Sequence, residues 1–295
     1  NLFVLIKSLT KSEKRQFKLY VGRLGVNADS KFLNLFNFLD KATIYDEAAI
    51  LKKGGIKKQQ LANVKAHLYK QLLISLKLSP SHQNVRSQIR EQLDFASILY
   101  HKGLYKQSLK ILEKAKEFAI YNEEKNLAYE VVELEKVIES QYITRSISNR
   151  ADELTIQAKE LSALNVIASK LSNLSLQLYG IILKSGYVKN EKENSYIKNY
   201  FYKRMPNYDI SQLGFREKLW LYKAHLWYSF LTQDFLNCYK YASKWVELFY
   251  ENPLMINSHP VFFLKGNNYL LESLFFIRRK DKFQKTLYSL EKIIK

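Results

Sequence analysis

Apolar residues recur at three- and four-residue intervals over most of the chain, and strict alternation of apolar and polar residues is nearly absent. In the first segment, Leu2, Leu5, Ile6 and Leu9 share one helical face. This period is produced by an amphipathic α-helix, whereas a half-buried strand would alternate. The pattern therefore predicts an all-α protein.

Cap and turn residues divide the first 80 residues into short helices. Thr10 and Glu13 have the spacing of a capping box, in which the hydroxyl accepts from the amide three residues on and the carboxylate reaches back. Asp46 suits a helix start, and Gly54-Gly55 suits a helix end. The sequence therefore predicts an N-terminal helical bundle. Its second helix ends near Leu24 with Gly25 as the cap, its third covers 30–39, its fourth runs from 46 to 53, and its fifth covers 57–76.

The clearest break in the first half of the chain is Ser79-Pro80-Ser81. Proline cannot continue a helix, and serine favours turns. The break predicts a domain boundary, with a basic helical domain over residues 1–80 and a second domain over residues 81–295.

Residues 94–115 carry the most specific pattern in the chain. Ala96, Ser108 and Ala115 are small, and Gly103 and Tyr105 stand between two predicted helices. Small residues let antiparallel helices approach closely, while an aromatic ring fills their junction. The stretch resembles a tetratricopeptide repeat. This resemblance implies a right-handed solenoid of helical hairpins that holds a protein or peptide segment in its groove.

Similar turns recur further along the chain, and each is marked by an aromatic residue. They are Tyr187, Phe235 with Cys238 and Ala242 after it, and Phe283. If one unmarked turn lies at 145–149, each two-helix unit has about 41 to 48 residues, compared with about 34 in the family. The resemblance therefore covers residues 91–295 as a tetratricopeptide-like solenoid rather than a regular array.

The net charge of +19 is concentrated in the N-terminal third of the chain. Residues 1–90 hold 17 basic and five acidic residues, and residues 48–90 hold nine basic residues and no acid. Local ion pairs cannot neutralise such a stretch, so it presents a positive field to an acidic partner. The alternative interpretation is that a lysine-rich composition only raises the charge of an ordinary solvated surface.

The acid-free stretch has the outline of a helix-turn-helix, with a short helix, a glycine turn and a longer basic helix. Its basic and amide side chains are of types that contact phosphates and base edges. We therefore predict contact with nucleic acid or a ribonucleoprotein such as the ribosome through residues 1–90. The candidate residues are Lys52, Lys53, Lys57, Lys58, Gln59, Asn63, Lys70, Lys77, Arg86 and Arg90. The alternative is that any amphipathic helix in a bundle has a polar side.

Patterns typical of catalysis and of cofactor or metal binding are missing from the sequence. Phosphate loops, dinucleotide fingerprints and nucleophile elbows are absent, and the five histidines never stand at metal-ligand spacing. Cys238 falls at a small-residue packing position, which favours a buried thiol over a nucleophile. We therefore expect no catalytic residue, no metal, no cofactor and no enzymatic activity.

No run reaches the length of about 18 uncharged apolar residues that a membrane span needs, and a single cysteine fits a reducing compartment. These features predict a cytoplasmic protein without a membrane span.

The combined interpretation is a non-catalytic adaptor that binds protein and nucleic acid. One alternative is a purely protein-binding scaffold whose basic patch is solubilising or meets an acidic protein, and a weaker one is a peripheral membrane protein. The sequence leaves the oligomeric state open.

Overall fold

The computed structural model describes residues 2–23, 31–53, 56–79, 84–141 and 149–294, and over these ranges it contains helices and no strand. The predicted all-α class is confirmed. The chain divides into two compact units, residues 1–84 and 85–295. Of the predicted break at residues 79–81, only Ser79 belongs to the described residues.

The first unit contains α1 (Leu2–Ser8), α2 (Lys11–Arg23), α3 (Lys31–Lys41), α4 (Glu47–Lys53) and α5 (Lys58–Lys77). The predicted capping box is confirmed, since the Thr10 amide donates to Glu13 Oε2 at 2.6 Å and the Glu13 amide donates to Thr10 Oγ1 at 3.2 Å. Asp46 accepts from the amide of Ala49 at the start of α4. The predicted caps at Gly25 and at residues 54–55 lie outside the described residues.

One hydrophobic core holds the first unit together. The long helix α5 packs mainly against α2 and α3, and α1 packs against α3. Leu61, Leu68 and Leu72 form the buried stripe of α5, and the rings of Phe17 and Phe36 lie 4.7 Å apart between α2 and α3. Because this stripe faces the core, the opposite side of α5 faces solvent.

The second unit is a series of helices in which each long helix packs against the next long helix in the chain. Two shorter helices, α10 and α13, and a 3₁₀ helix (Ile210–Gln212) lie along this series. The helices are α6 (Val85–His101), α7 (Tyr105–Tyr121), α8 (Lys125–Gln141), α9 (Arg150–Ser185), α10 (Glu191–Arg204), α11 (Phe215–Leu231), α12 (Phe235–Glu251), α13 (Leu254–Ser258), α14 (Pro260–Phe276) and α15 (Lys280–Ile294).

Four three-residue turns in the second unit share one backbone geometry. The middle residue of each turn has a positive φ of 56° to 73°, at Gly103, Glu123, Gln233 and Arg278. Its amide donates to the carbonyl three residues back, and the next amide donates to the carbonyl five residues back, at 2.8 to 3.1 Å. These two bonds define the Schellman motif, which ends one helix and turns the chain sharply into the next.

The shared turn sets a common helix spacing. Helices α6, α7 and α8 begin at residues 85, 105 and 125, α11 and α12 begin at 215 and 235, and α14 and α15 begin at 260 and 280. A pair of helices with its turns therefore occupies about 40 residues, close to the lower end of the predicted repeat length and longer than the tetratricopeptide unit.

Helix α9 departs from this spacing because it runs for 36 residues without a turn. Its first half places Leu154 and Leu161 in the core shared with α6, α7 and α8. Its second half places Leu174 and Leu178 in the core shared with α10, α11, α12 and α14. One helix thus joins two hydrophobic cores. Most of the predicted turn at 145–149 lies outside the described residues.

Candidate functional site

Two acidic residues of the first unit are already engaged by lysines. Lys14 lies 2.8 Å from Asp40, and Lys65 lies 2.9 Å from Glu47. Hydrogen bonds from Lys65 and from Tyr45 lower the pKa of the Glu47 carboxyl. Since these carboxylates are paired locally, they do not neutralise the remaining lysines and arginines of this unit.

The candidate residues on α5 lie together on one exposed side of the helix. Gln59, Asn63, Lys70 and Lys77 are all exposed, and at 100° per residue they fall within about 40° of one another. They lie opposite the buried leucine stripe, as predicted. The two lysines are separated by two helical turns, and Leu73, which is 44% exposed, lies between them.

The lysines at the ends of α4 and α5 are exposed as well. These are Lys52 near the end of α4, Lys57 directly before α5, and Lys58 at its start. No acidic residue lies in the first turn of α5, and the side chain of Lys57 makes no cap bond. The side chain of Lys53 lies outside the described residues. The helix-turn-helix outline stays a prediction, because its glycine turn is not described and α5 packs chiefly against α2 and α3.

The candidate arginines and the candidate lysines belong to different units of the chain. Arg86 and Arg90 belong to α6 in the second unit. Arg86 forms an ion pair with Glu124, whose side chain is only 10% exposed. A carboxylate so far from water needs a cation partner. Arg86 is therefore engaged by Glu124, and its contact with a phosphate stays a prediction, whereas Arg90 is exposed.

A denser group of cations lies on α2, and sequence reasoning missed it. Lys11, Lys14, Arg15 and Lys18, named here the α2 stripe, line an open cleft of 440 Å³ together with Leu19. The signal was present in the sequence as basic residues at i, i+3, i+4 and i+7, which fall on one helical face.

The predicted packing residues of the first hairpin are confirmed. Ala96, Ser108 and Ala115 are fully buried, and the Ser108 hydroxyl donates to the carbonyl of Ala96 at 2.7 Å. Tyr105 packs at the edge of the same core. Gly103 occupies the left-handed turn position, with φ of 73°, where a residue without Cβ has no steric cost.

The later hairpins follow the prediction in part. Cys238 and Ala242 are fully buried, and Phe235 stacks on Phe276 with centroids 4.4 Å apart. Tyr187 is 45% exposed, so the prediction that it packs between helices is wrong. Tyr187 directly follows Gly186, where α9 ends. This helix end lacks the Schellman geometry of the other turns.

The alignment of Phe283 with Tyr105 and Phe235 is also corrected. Tyr105 and Phe235 are the first residues of their helices, whereas α15 begins at Lys280 and Phe283 is its fourth residue. Phe283 does pack, half-buried, against the core of the second unit. The left-handed position of this turn is Arg278, where no glycine marks it in the sequence.

Two titratable side chains of the second unit are held neutral by burial. Burial raises the pKa of the Cys238 thiol to about 12, so it is not a thiolate at neutral pH. Burial, together with Lys240 and Lys244, lowers the pKa of His225 to about 4. The imidazole stacks on Tyr241 at 4.3 Å. Both groups therefore act as packing elements.

A cleft of 660 Å³ lies beside α9 in the second unit. Ile156, Leu164 and Ile167 of α9 line it together with Leu213, which follows the 3₁₀ helix. Charged residues at its rim are Lys159, Glu160 and Asp209. An apolar floor with a polar rim is typical of surfaces that bind other molecules.

Within the described residues, no three His, Cys, Asp or Glu side chains cluster as metal ligands would. Among the described helices, α9 is long and apolar enough to cross a membrane, by length and composition. The prediction from uncharged runs did not include α9 because Lys170 interrupts its apolar sequence. A core helix of a soluble protein can have the same length and composition, so these two properties alone do not identify a membrane span. The absence of a membrane span stays a prediction.

Comparison with protein-family models, curated proteins and solved structures found no match for this chain. Its function must therefore be inferred from its own residues.

Proposed function

We propose that this chain is a non-catalytic cytoplasmic adaptor. In this proposal residues 85–295 form a right-handed, tetratricopeptide-like solenoid that binds a protein segment, and the first unit binds nucleic acid or a ribonucleoprotein such as the ribosome. The observation that carries the proposal is the surface of the first unit. There, exposed lysines and arginines face solvent while Asp40 and Glu47 are already paired.

Nucleic acid fits this surface better than a small anion does. The cations are spread over α2, α4 and α5 rather than gathered in one enclosed site. Contacts to a phosphate backbone need many exposed cations and little shape complementarity, and they produce binding with weak sequence selectivity.

Protein binding by the second unit is supported by its repeated hairpins and by its apolar surface. Stacked hairpins form extended surfaces that hold partner segments. The cleft beside α9 is lined largely by apolar residues, and one of them, Ile156, is 56% exposed. Exposed apolar residues near such a cleft favour a protein partner over a polar small molecule.

The test is a pull-down of the full chain from a cell lysate at about 50 mM and about 300 mM salt, with and without nuclease. We expect ribosomal or other nucleic-acid components to be recovered at low salt and lost after nuclease treatment. Protein partners of the second unit should remain after both treatments, because apolar contacts are not weakened by salt.

Recovery of protein partners that is indifferent to nuclease and salt, with no nucleic acid present, would overturn the nucleic-acid part. It would favour the purely protein-binding scaffold. Recovery of nucleic acid without any protein partner at high salt would overturn the adaptor part.

A further inference from the structure

We propose that the α2 stripe is the main phosphate-binding surface of the chain, and that it contacts the backbone of a nucleic-acid duplex. This inference rests on the proposed function and assigns it to residues outside the candidate set of α4 and α5. The partner chemistry is a row of phosphodiesters, which RNA and DNA share.

The first argument is the arrangement of charge. At 100° per residue, Lys11, Lys14, Arg15 and Lys18 fall within about 100° on one face of α2. Apart from Leu19, these four cations are the whole lining of the 440 Å³ cleft. By contrast, Lys70 and Lys77 on α5 flank an exposed leucine.

The second argument is that most of this charge is not neutralised locally. Among the described ion pairs, Asp40 engages Lys14, and none involves Lys11, Arg15 or Lys18. The acid on α2, Glu13, accepts hydrogen bonds from the amide and hydroxyl of Thr10. The three remaining cations are exposed.

The third argument is that the stripe destabilises its own helix. Lys11 and Arg15, like Lys14 and Lys18, are like-charge pairs four residues apart, which repel on a helix surface. A polyanion on this face would remove the repulsion. The free energy of binding would then include the relief of this repulsion within α2 in addition to the new contacts with the phosphates.

The spacing of the stripe also suits a nucleic-acid strand. From residue 11 to residue 18 a helix rises about 10 Å. Phosphates of one strand advance about 3.4 Å each along a duplex, so the stripe faces about three of them. Leu19, which is 56% exposed, adds an apolar contact at the edge of the cleft.

The test compares two full-length triple variants of equal charge. K11Q/R15Q/K18Q removes the three stripe cations without an acidic partner among the described ion pairs and leaves Lys14 in place. K57Q/K70Q/K77Q removes three exposed cations near or on α5. Each is titrated against a fluorescent RNA duplex and a fluorescent DNA duplex of about 20 base pairs, at several salt concentrations. Circular dichroism checks that both variants keep their helices, and K11R/R15K/K18R keeps the charge.

We expect K11Q/R15Q/K18Q to weaken binding at least about tenfold and to lower the slope of log affinity against log salt by about three. K57Q/K70Q/K77Q should weaken binding less than about threefold, and K11R/R15K/K18R should bind like the unmodified chain. Equal or larger loss in K57Q/K70Q/K77Q would overturn this inference and leave nucleic-acid binding intact. Absence of binding by the unmodified chain would overturn the proposed function itself. A loss confined to RNA or to DNA identifies which duplex is the partner.

Discussion

The second unit contains ion pairs whose carboxylates are fully buried, whereas the ion pairs described in the first unit are partly exposed. In the second unit, Lys116 lies 2.7 Å from Glu135, and Lys125 lies 2.7 Å from Glu217, with both carboxylates fully buried. In the first unit the ion pairs are partly exposed, and three cations of the α2 stripe have no acidic partner among the described ion pairs.

The difference indicates what each set of charges does. A buried pair is costly to desolvate and is kept when it fixes the arrangement of the helices around it. Lys116 and Glu135 join α7 to α8, and Lys125 and Glu217 join α8 to α11. Unpaired surface cations contribute little to folding, so their clustering in the first unit is better explained by a partner.

The largest expected effect follows from breaking a buried pair. Lys125→Ala leaves Glu217 fully buried without its cation, and one oxygen of that carboxylate already lacks a hydrogen-bond partner. We expect the free energy of unfolding to fall by about 3–5 kcal/mol. Urea denaturation measures the change.

The matched control for this variant is Lys136→Ala. Lys136 pairs with Glu133 at 2.8 Å on the surface of α8, and both side chains are more than 40% exposed. We expect little or no loss of stability, because an exposed ion pair contributes almost nothing to folding. Similar losses for the two variants would contradict the distinction between internal and external charge.

The next effect is a pH dependence set by His225. Its pKa in the folded chain is about 4, below the ordinary value of 6.5, so the unfolded chain binds the extra proton between these values. The contribution of neutral His225 to the free energy of unfolding is therefore fully present above pH 6.5. It is lost as the pH falls towards 4, by an amount on the order of 3 kcal/mol. Thermal unfolding of the unmodified chain and of His225→Phe from pH 7 to 4.5 measures it.

The phenylalanine variant keeps a ring to stack on Tyr241 but cannot take up a proton. It should therefore lose less stability on acidification than the unmodified chain. Parallel curves for the two proteins would show that His225 is not held neutral by burial.

A smaller effect tests the shared turn of the second unit. Gly103→Ala places a Cβ at a φ of 73° and should lower stability by about 1 kcal/mol. Gln233→Gly, at the equivalent position of another turn, should raise stability by about 0.5–1 kcal/mol, because glycine adopts this conformation without strain. Chemical denaturation of both variants is the measurement, and changes of the same sign would contradict the equivalence of the turns.

The smallest effect concerns the α2 stripe and has the opposite sign to that of Lys125→Ala. Replacing three of the four stripe cations with K11Q/R15Q/K18Q ends two like-charge repulsions, and each should return about 0.2–0.5 kcal/mol to the unfolding free energy. A clear loss of stability by urea denaturation would mean that these cations hold the fold, and the contrast between the two units would fail.

Much of the fold was predictable because local signals decided it. The capping box at Thr10, the helix start at Asp46 and the small residues of α6 and α7 act over a few residues, and each was read correctly. The 36-residue helix α9 was missed as a continuous element because two separate cores stabilise it. Local patterns contain no information about which cores a helix joins.

The candidate site was less predictable because pairing depends on tertiary contacts. Sequence counting treats Arg86 and Arg15 alike, yet Glu124 neutralises Arg86 from the turn between α7 and α8, while Arg15 has no partner among the described ion pairs. Phe275 shows the same difficulty for packing, since aromatic residues on helices usually pack in a core and this side chain is 71% exposed. Exposure and pairing become visible only when helices are placed side by side.

The most direct test of the central claim is the salt dependence of duplex binding by the full chain. Fluorescence anisotropy with an RNA duplex of about 20 base pairs should give a slope of log affinity against log salt of about −3 or steeper, which corresponds to at least about a 60-fold loss between 50 and 200 mM salt. Failure to bind at 50 mM salt, or an affinity that stays constant over this range, would contradict the claim that the exposed cations of the first unit serve a phosphate backbone.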